Sequence, residues 1–130
     1  LWARQASPAV ALLLNRGIRT LRAGSAGEAL EDFDAAITLS PRLADAWHWR
    51  AQAHERAGDR RAALADLREA LRLEPRHFAA LATLSRIQEA AGDGPAALRA
   101  MEAALAIHPR LPGGAERLRE LVRKVEGERS

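Results

Sequence analysis

The chain has no cysteine, no tyrosine and only two phenylalanines, and all but one of its 20 basic residues are arginine. Without cysteine there are no disulfides, thiolate zinc sites, iron–sulfur clusters or cysteine nucleophiles; the redox compartment is left open. Scarce aromatics argue against a sheet protein, because strands favour β-branched and aromatic side chains. No apolar run approaches membrane-spanning length, so no membrane insertion is expected. A single-sign field is also missing. The pI of about 10.8 reflects arginines that do not titrate at ordinary pH, while the formal net charge is only +3. What the chain has in excess is alanine, the best helix former. At 130 residues and 48% hydrophobic, it reads as one folded all-α domain.

A period of 34 residues organises the sequence. It links Pro41, Pro75 and Pro109, each followed by arginine (Arg42, Arg76, Arg110), and it links Gly24, Gly58 and Gly92. Ala29, Ala63, Ala97 and Ala36, Ala70, Ala104 repeat at the same step, as do Leu30, Leu64, Leu98 and Leu39, Leu73, Ile107. Each repeat reads as two helices. Ala63, Leu64, Leu67, Ala70 and Leu71 form one apolar stripe at helical spacing. The periodic glycines close the first helices in a left-handed conformation. Ser25, Asp59 and Asp93 follow as N-caps, and Ser25 with Glu28 has capping-box spacing. Pro95 sits in a first turn, and the periodic prolines end the second helices. The spacing predicts helices over 10–23, 27–40, 44–57, 61–74, 78–91 and 95–108. After Pro109, Leu118, Leu121, Val122 and Val125 stripe a further helix, about 115–126, suited to covering the last repeat. Its opposite face mixes Glu116, Arg117, Arg119, Glu120, Arg123 and Lys124, which argues against a basic membrane-surface helix.

Residues 10–111 resemble the tetratricopeptide-repeat family, whose 34-residue helix–turn–helix carries spaced Trp, Leu-Gly, Tyr, Ala, Phe and Pro positions. Trp47, Ala63, Ala70 and Pro75 match in the middle repeat; Gly17, Ala29, Phe33 and Pro41 in the first; Leu84, Ala97, Met101, Ala104 and Pro109 in the third. The family's leucine is replaced by Arg16 and Arg50, its glycine by Ala51 and Ser85, and its tyrosine by Thr20, His54 and Gln88. These departures are expected to thin the packing of the first helices. The resemblance implies a right-handed α-solenoid divided as follows: N-terminal segment 1–9, repeats 10–43, 44–77 and 78–111, and a C-terminal capping helix and tail over 112–130. The segment 1–9 is read as the tail of a helix or a linker.

The family implies protein binding in a concave groove lined by the first helices. Its pattern, carried over, selects Leu14, Asn15, Ile18, Leu21 and Arg22; then Asp45, His48, Trp49, Gln52 and Arg56; then Ala79, Ala82, Thr83, Arg86 and Glu89. Trp49 offers a large anchor where the family has a small amide, unless it packs sideways on a neighbouring helix. Leu14, Ile18 and Leu21 form an apolar stripe on a nominally open face. That stripe could be covered by Leu1 and Trp2, by a partner helix, or by a second copy in a homo-oligomer. The family's clamp for acidic chaperone tails needs lysine, arginine and asparagine. Leu14, Ile18, Trp49, Ala79 and Thr83 stand at those places, which argues against chaperone-tail capture. Arg22, Arg56 and Arg86 could meet other carboxylates or simply be solvated.

Enzyme chemistry has little to build on. His48, His54, His77 and His108 lack metal-ligand spacing, and no phosphate loop, nucleophile elbow or carboxylate pair appears. Gly113-Gly114 and Gly92-Asp93-Gly94 read as turns. No cofactor is expected. Nucleic-acid binding requires a single-sign face; acids such as Glu28, Glu31, Asp32 and Asp34 interrupt the arginines. The chain is most similar to short Ala/Arg-rich proteobacterial repeat proteins. That similarity, with a start at Leu1, suggests an exported, periplasmic protein, with a cytoplasmic location as the alternative.

Overall fold

The computed structural model describes residues 7–129; Leu1, Trp2 and the rest of 1–6 lie outside that range. Among the described residues seven α-helices follow one another: α1 (Pro8–Arg22), α2 (Ala26–Leu39), α3 (Ala44–Arg56), α4 (Arg60–Leu73), α5 (Phe78–Ala90), α6 (Gly94–Ile107) and α7 (Gly114–Arg129). The fold is all-α. Observed ends fall within about two residues of those expected, except that α7 runs three residues further. Among the described residues no helix is long and apolar enough to cross a membrane.

The turns follow from glycine and proline. Gly24, Gly58 and Gly92 have φ values of 94°, 87° and 86°, a region costly for any side chain with a Cβ. Just after them, the Asp59 and Asp93 side chains accept from the backbone N–H of Ala62 and Ala96, each at 3.1 Å. Ser25 is an N-cap without a side-chain hydrogen bond, so the expected capping box with Glu28 does not form. His77 Nδ1 instead caps α5, accepting from the Ala80 N–H at 3.0 Å, a role its sequence position did not advertise. The prolines each lie two residues past a helix end, where the lack of an N–H costs nothing.

Two compact units divide the chain at Pro75 and Arg76. In the N-terminal unit, α1 pairs with α2 and α3 with α4, and α3 also packs on α2. Its core joins Val10, Leu14, Ile18 and Leu21 to Ala29, Phe33, Ala36 and Ile37, with Ala46 and Ala53 from α3. Gly17 makes this possible: a Cβ there would meet the Phe33 ring at 2.5 Å, so only glycine lets the ring lie directly on α1. In the C-terminal unit, α6 packs on α5 and α7 on α6, around Ala97, Met101, Ala104 and Leu121. Leu121 and Val125 of the amphipathic last helix are buried, and Leu118 and Val122 half-buried.

The arginines at the family's leucine position do not thin the packing. Arg16 grips Asp32 through Nε and Nη2, the shortest contact 2.7 Å. One period later Arg50 grips Asp66 through Nε and Nη2, both at 2.8 Å, and reaches Asp34 of α2 at 3.1 Å. Asp66 is nearly buried, its side chain 6% exposed against 21% for Arg50. That hydrogen bond raises the Arg50 pKa further above its ordinary value, outweighing desolvation. The Arg50 guanidinium also lies 5.0 Å from the centre of the Trp47 ring, whose Nε1 donates to the Pro41 carbonyl at 2.9 Å.

Candidate functional site

The groove residues expected in the N-terminal unit separate into a core set and a surface set. Leu14, Leu21 and Ile18 are 0%, 1% and 9% exposed; they pack on Phe33 and its neighbours rather than presenting an apolar face. The physical reason is the Gly17 contact, which seats the Phe33 ring beside them. His48 is also buried, with Gln52 Nε2 at 3.3 Å from its Nε2. These four are therefore corrected from groove contacts to interior residues. The three leucine and isoleucine side chains named for the homo-oligomer alternative are among these interior residues.

The surface set is divided between α1 and α3, which meet at Arg22 and Trp49. Asn15 and Arg22 are exposed and lie seven residues apart, on one face of α1. Trp49, Gln52 and Arg56 lie at i, i+3 and i+7 on one face of α3. The Trp49 ring is half-buried: it stacks on Phe33 with centroids 6.4 Å apart and tilts against His48 at 6.3 Å. The Arg22 guanidinium covers it at 5.8 Å, within cation–π range. Arg56 donates to the Leu21 carbonyl at 2.8 Å, a second donor on an oxygen that also accepts from the Gly24 N–H at 3.0 Å. Trp49 thus packs sideways on Phe33 and His48 and stays partly exposed, with Arg22 over its ring.

The remaining expected residues lie in the C-terminal unit. Thr83 is buried and so is corrected from an open groove contact; Arg86 is exposed. Both nevertheless line a pocket of about 270 Å³ with Ala82, Met101, Leu111, Pro112, Gly113, Gly114 and Arg117. Arg117 donates to Glu89 at 2.8 Å and to the Ser85 hydroxyl at 3.4 Å, and Lys124 lies 3.6 Å from the same glutamate. The bond to Arg117, then the Lys124 charge, hold the Glu89 carboxyl below its ordinary range. Sequence reasoning found Thr83 and Arg86 but missed Arg117, Met101 and Leu111. Arg117 was visible only as one charge on the polar face of the last helix. Its placement opposite α5 depends on the turn at Gly113, whose φ is 73°.

The histidines serve structure. His54 Nε2 lies 3.6 Å from Asp66, His77 caps α5, and His108 meets Phe78 edge-on with centroids 4.7 Å apart.

Residues 44–77 match the tetratricopeptide-repeat family. No curated protein sequence matches the chain. Among solved structures it is similar to the first tetratricopeptide-repeat domain of Spaghetti (RPAP3) bound to the HSP90 peptide SRMEEVD. The identity is 19%, covering 93% of this chain and 98% of that one, with a TM-score of 0.88. It is similar also to the Sgt2 tetratricopeptide-repeat domain from Aspergillus fumigatus (20% identity, 96% and 85% covered, TM-score 0.88). The first such domain of human RPAP3 gives 18% identity, 92% and 94% covered, and a TM-score of 0.86. At these identities the likeness speaks to fold. The sequence match and the fold together support the tetratricopeptide-repeat family.

Proposed function

We propose that this chain is a non-enzymatic protein-interaction module that holds a peptide or helix of a partner protein. The contact face is formed by Asn15, Arg22, Trp49, Gln52 and Arg56. The observation that carries the reading is Trp49: a large side chain left partly exposed, with the Arg22 guanidinium of a neighbouring helix over its ring. An indole of this kind combines apolar area with small entropic loss on binding, as interface anchors do. The family resemblance and a structural neighbour solved with a bound peptide support the class of function. That neighbour's own peptide is not the expected partner, because Leu14, Ile18, Trp49, Ala79 and Thr83 supply no clamp cation or amide. We read the chain as three repeats, 10–43, 44–77 and 78–111, followed by a capping helix.

The test is co-purification from the source cell, wild type beside Arg22→Glu with Gln52→Arg, both substitutions lying outside the packed core. A partner retained by wild type and lost from the double variant supports the face. An unchanged set of co-purifying proteins counts against it.

A further inference from the structure

The second helices of the two hairpins in the N-terminal unit carry opposite charge on their outward faces. Helix α2 holds Glu28, Glu31, Asp32 and Asp34 and no basic residue. Asp32 turns inward to Arg16, and Asp34, its side chain 61% exposed, gives one oxygen to Arg50. Glu28 and Glu31 are exposed and, among the described residues, have no ion-pair partner. Helix α4 shows the reverse. Its acids are committed inside the unit, Asp66 to Arg50 and Glu69 to Arg72. Arg60, Arg61 and Arg68 are exposed and likewise lack an ion-pair partner among the described residues. Arg61, Arg68 and Arg72, at i, i+7 and i+11, share one narrow stripe along the helix. Ala65 stands between the first two, also exposed. The repeat itself does not demand this polarity: one period on, the same outward positions of α6 are Pro95, Arg99, Glu102 and Ala106, one charge of each sign. The two faces are also neighbours. Arg50 binds Asp34 of α2 at 3.1 Å and Asp66 of α4 at 2.8 Å, so a single guanidinium spans the gap between the helices. As second helices of successive hairpins, α2 and α4 run in the same direction.

We propose that this pair of faces is a self-association surface whose occupant is a second copy of the chain. A two-fold axis parallel to the helices lays α2 of each copy along α4 of the other, so both charged faces are matched at once. Closed two-fold pairs are the commonest form of oligomer. In this arrangement Glu31 of one copy comes opposite Ala65 of the other, the residue one period on. The small alanine leaves room for the carboxylate between Arg61 and Arg68, each about one helical turn away, in charge-assisted hydrogen bonds. Like-charged approaches, α2 on α2 or α4 on α4, are disfavoured, which fixes the register. A foreign acidic helix would match α4 and leave α2 unmatched; a second copy matches both. Isolated exposed ion pairs contribute little, but here the two-fold axis doubles each one. The dimer is therefore weak and sensitive to salt. These residues lie outside the Trp49 face, and the proposal stands apart from what that face binds.

The experiment is sedimentation equilibrium of the full chain at low and high salt, wild type beside two charge-reversal variants. One is Arg61→Glu with Arg68→Glu, the other Glu28→Arg with Glu31→Arg. All four positions are exposed, and far-UV circular dichroism verifies that helix content is kept. Arg61→Gln with Arg68→Gln supplies a neutral version should a reversal disturb the fold. The expected result is a monomer–dimer equilibrium for wild type, with a dissociation constant at least about tenfold larger at about 0.5 M salt than at about 20 mM. Each reversal variant alone should be monomeric, and the neutral variant should dimerise more weakly than wild type. An equimolar mixture of the two reversal variants should recover the dimer, because each then carries the charge that the other has lost. A wild-type chain that stays monomeric at millimolar concentration and low salt overturns the proposal. So does a dimer indifferent to salt and to the reversals, or a mixture that does not recover it. A monomer whose Arg61 and Arg68 face instead binds poly-glutamate assigns that face to a foreign acidic partner and overturns the second copy.

Discussion

The two units build the same helical hairpin with different chemistry. In the N-terminal unit, Arg16 with Asp32 and Arg50 with Asp66 clasp the paired helices. In the C-terminal unit the corresponding residues are Leu84 and Ala100, one period on. There, the Ser85 hydroxyl bonds the Ala97 carbonyl within a core around Met101. The position occupied by Phe33 in the first hairpin is Met101 in the third, and Gly17 becomes Ser85. A ring lying flat on a glycine needs one fixed geometry, whereas a flexible thioether fills space beside a larger residue. The hairpin backbone therefore tolerates either an ion pair or an apolar contact at this point, provided the small-residue positions Ala29, Ala63 and Ala97 keep the helices close.

Substitutions can break this contrast in order of size. Phe33→Ala should cost about 3–5 kcal/mol, since the ring is fully buried and supports both the core and Trp49. Urea unfolding measures it, and a loss no larger than that of Met101→Ala would erase the asymmetry between the cores. Asp66→Ala should cost about 2–3 kcal/mol, somewhat below the range for breaking a fully buried pair, because Arg50 can still turn to Asp34. Adding Arg50→Leu, which copies the Leu84 and Ala100 arrangement, should recover most of that loss in the same assay; a further fall would show that the ionic clasp is not interchangeable. Asp32→Ala should cost less than Asp66→Ala, because the Arg16 side chain is 63% exposed and an exposed pair is screened by solvent. The smallest effect is acidic. Glu89 is held below its ordinary value by Arg117 and Lys124, so its contribution is complete above the unfolded-state value of about 4.3. It is lost as pH falls through the lower folded-state value. Thermal unfolding of wild type and Glu89→Gln should differ at pH 6, and the difference should shrink as the pH is lowered below the ordinary glutamate range.

Much of the fold could be read from residues alone because its determinants are local. Glycine at Gly58, a cap at Asp59 and a proline at Pro75 mark helix ends without any tertiary information. The Arg–Asp clasps were also present in the sequence, as pairs 16 residues apart repeated at the 34-residue step. They are hard to see because the residue that the family pattern puts at each arginine is a leucine, which has no acid partner. Site residues were less legible. Periodicity assigns a face to a helix but not the depth of a side chain on it. Leu14, Ile18 and Leu21 share the α1 surface pattern with Asn15 and Arg22, and only the Phe33 ring seated on Gly17 decides which are interior. Arg117 was invisible as a site residue because its position depends on the turn that brings α7 back beside α5.

The functional claim is tested most directly by placing a photo-crosslinking amino acid at single positions in the source cell. Exposed Asn15 and Arg56, on the Trp49 face, are compared with exposed Arg68 on α4. The account predicts covalent adducts of one common foreign partner from positions 15 and 56 and none of that partner from position 68, where adducts are those of a second copy. Foreign adducts from all three positions alike, or from 68 alone, would contradict it.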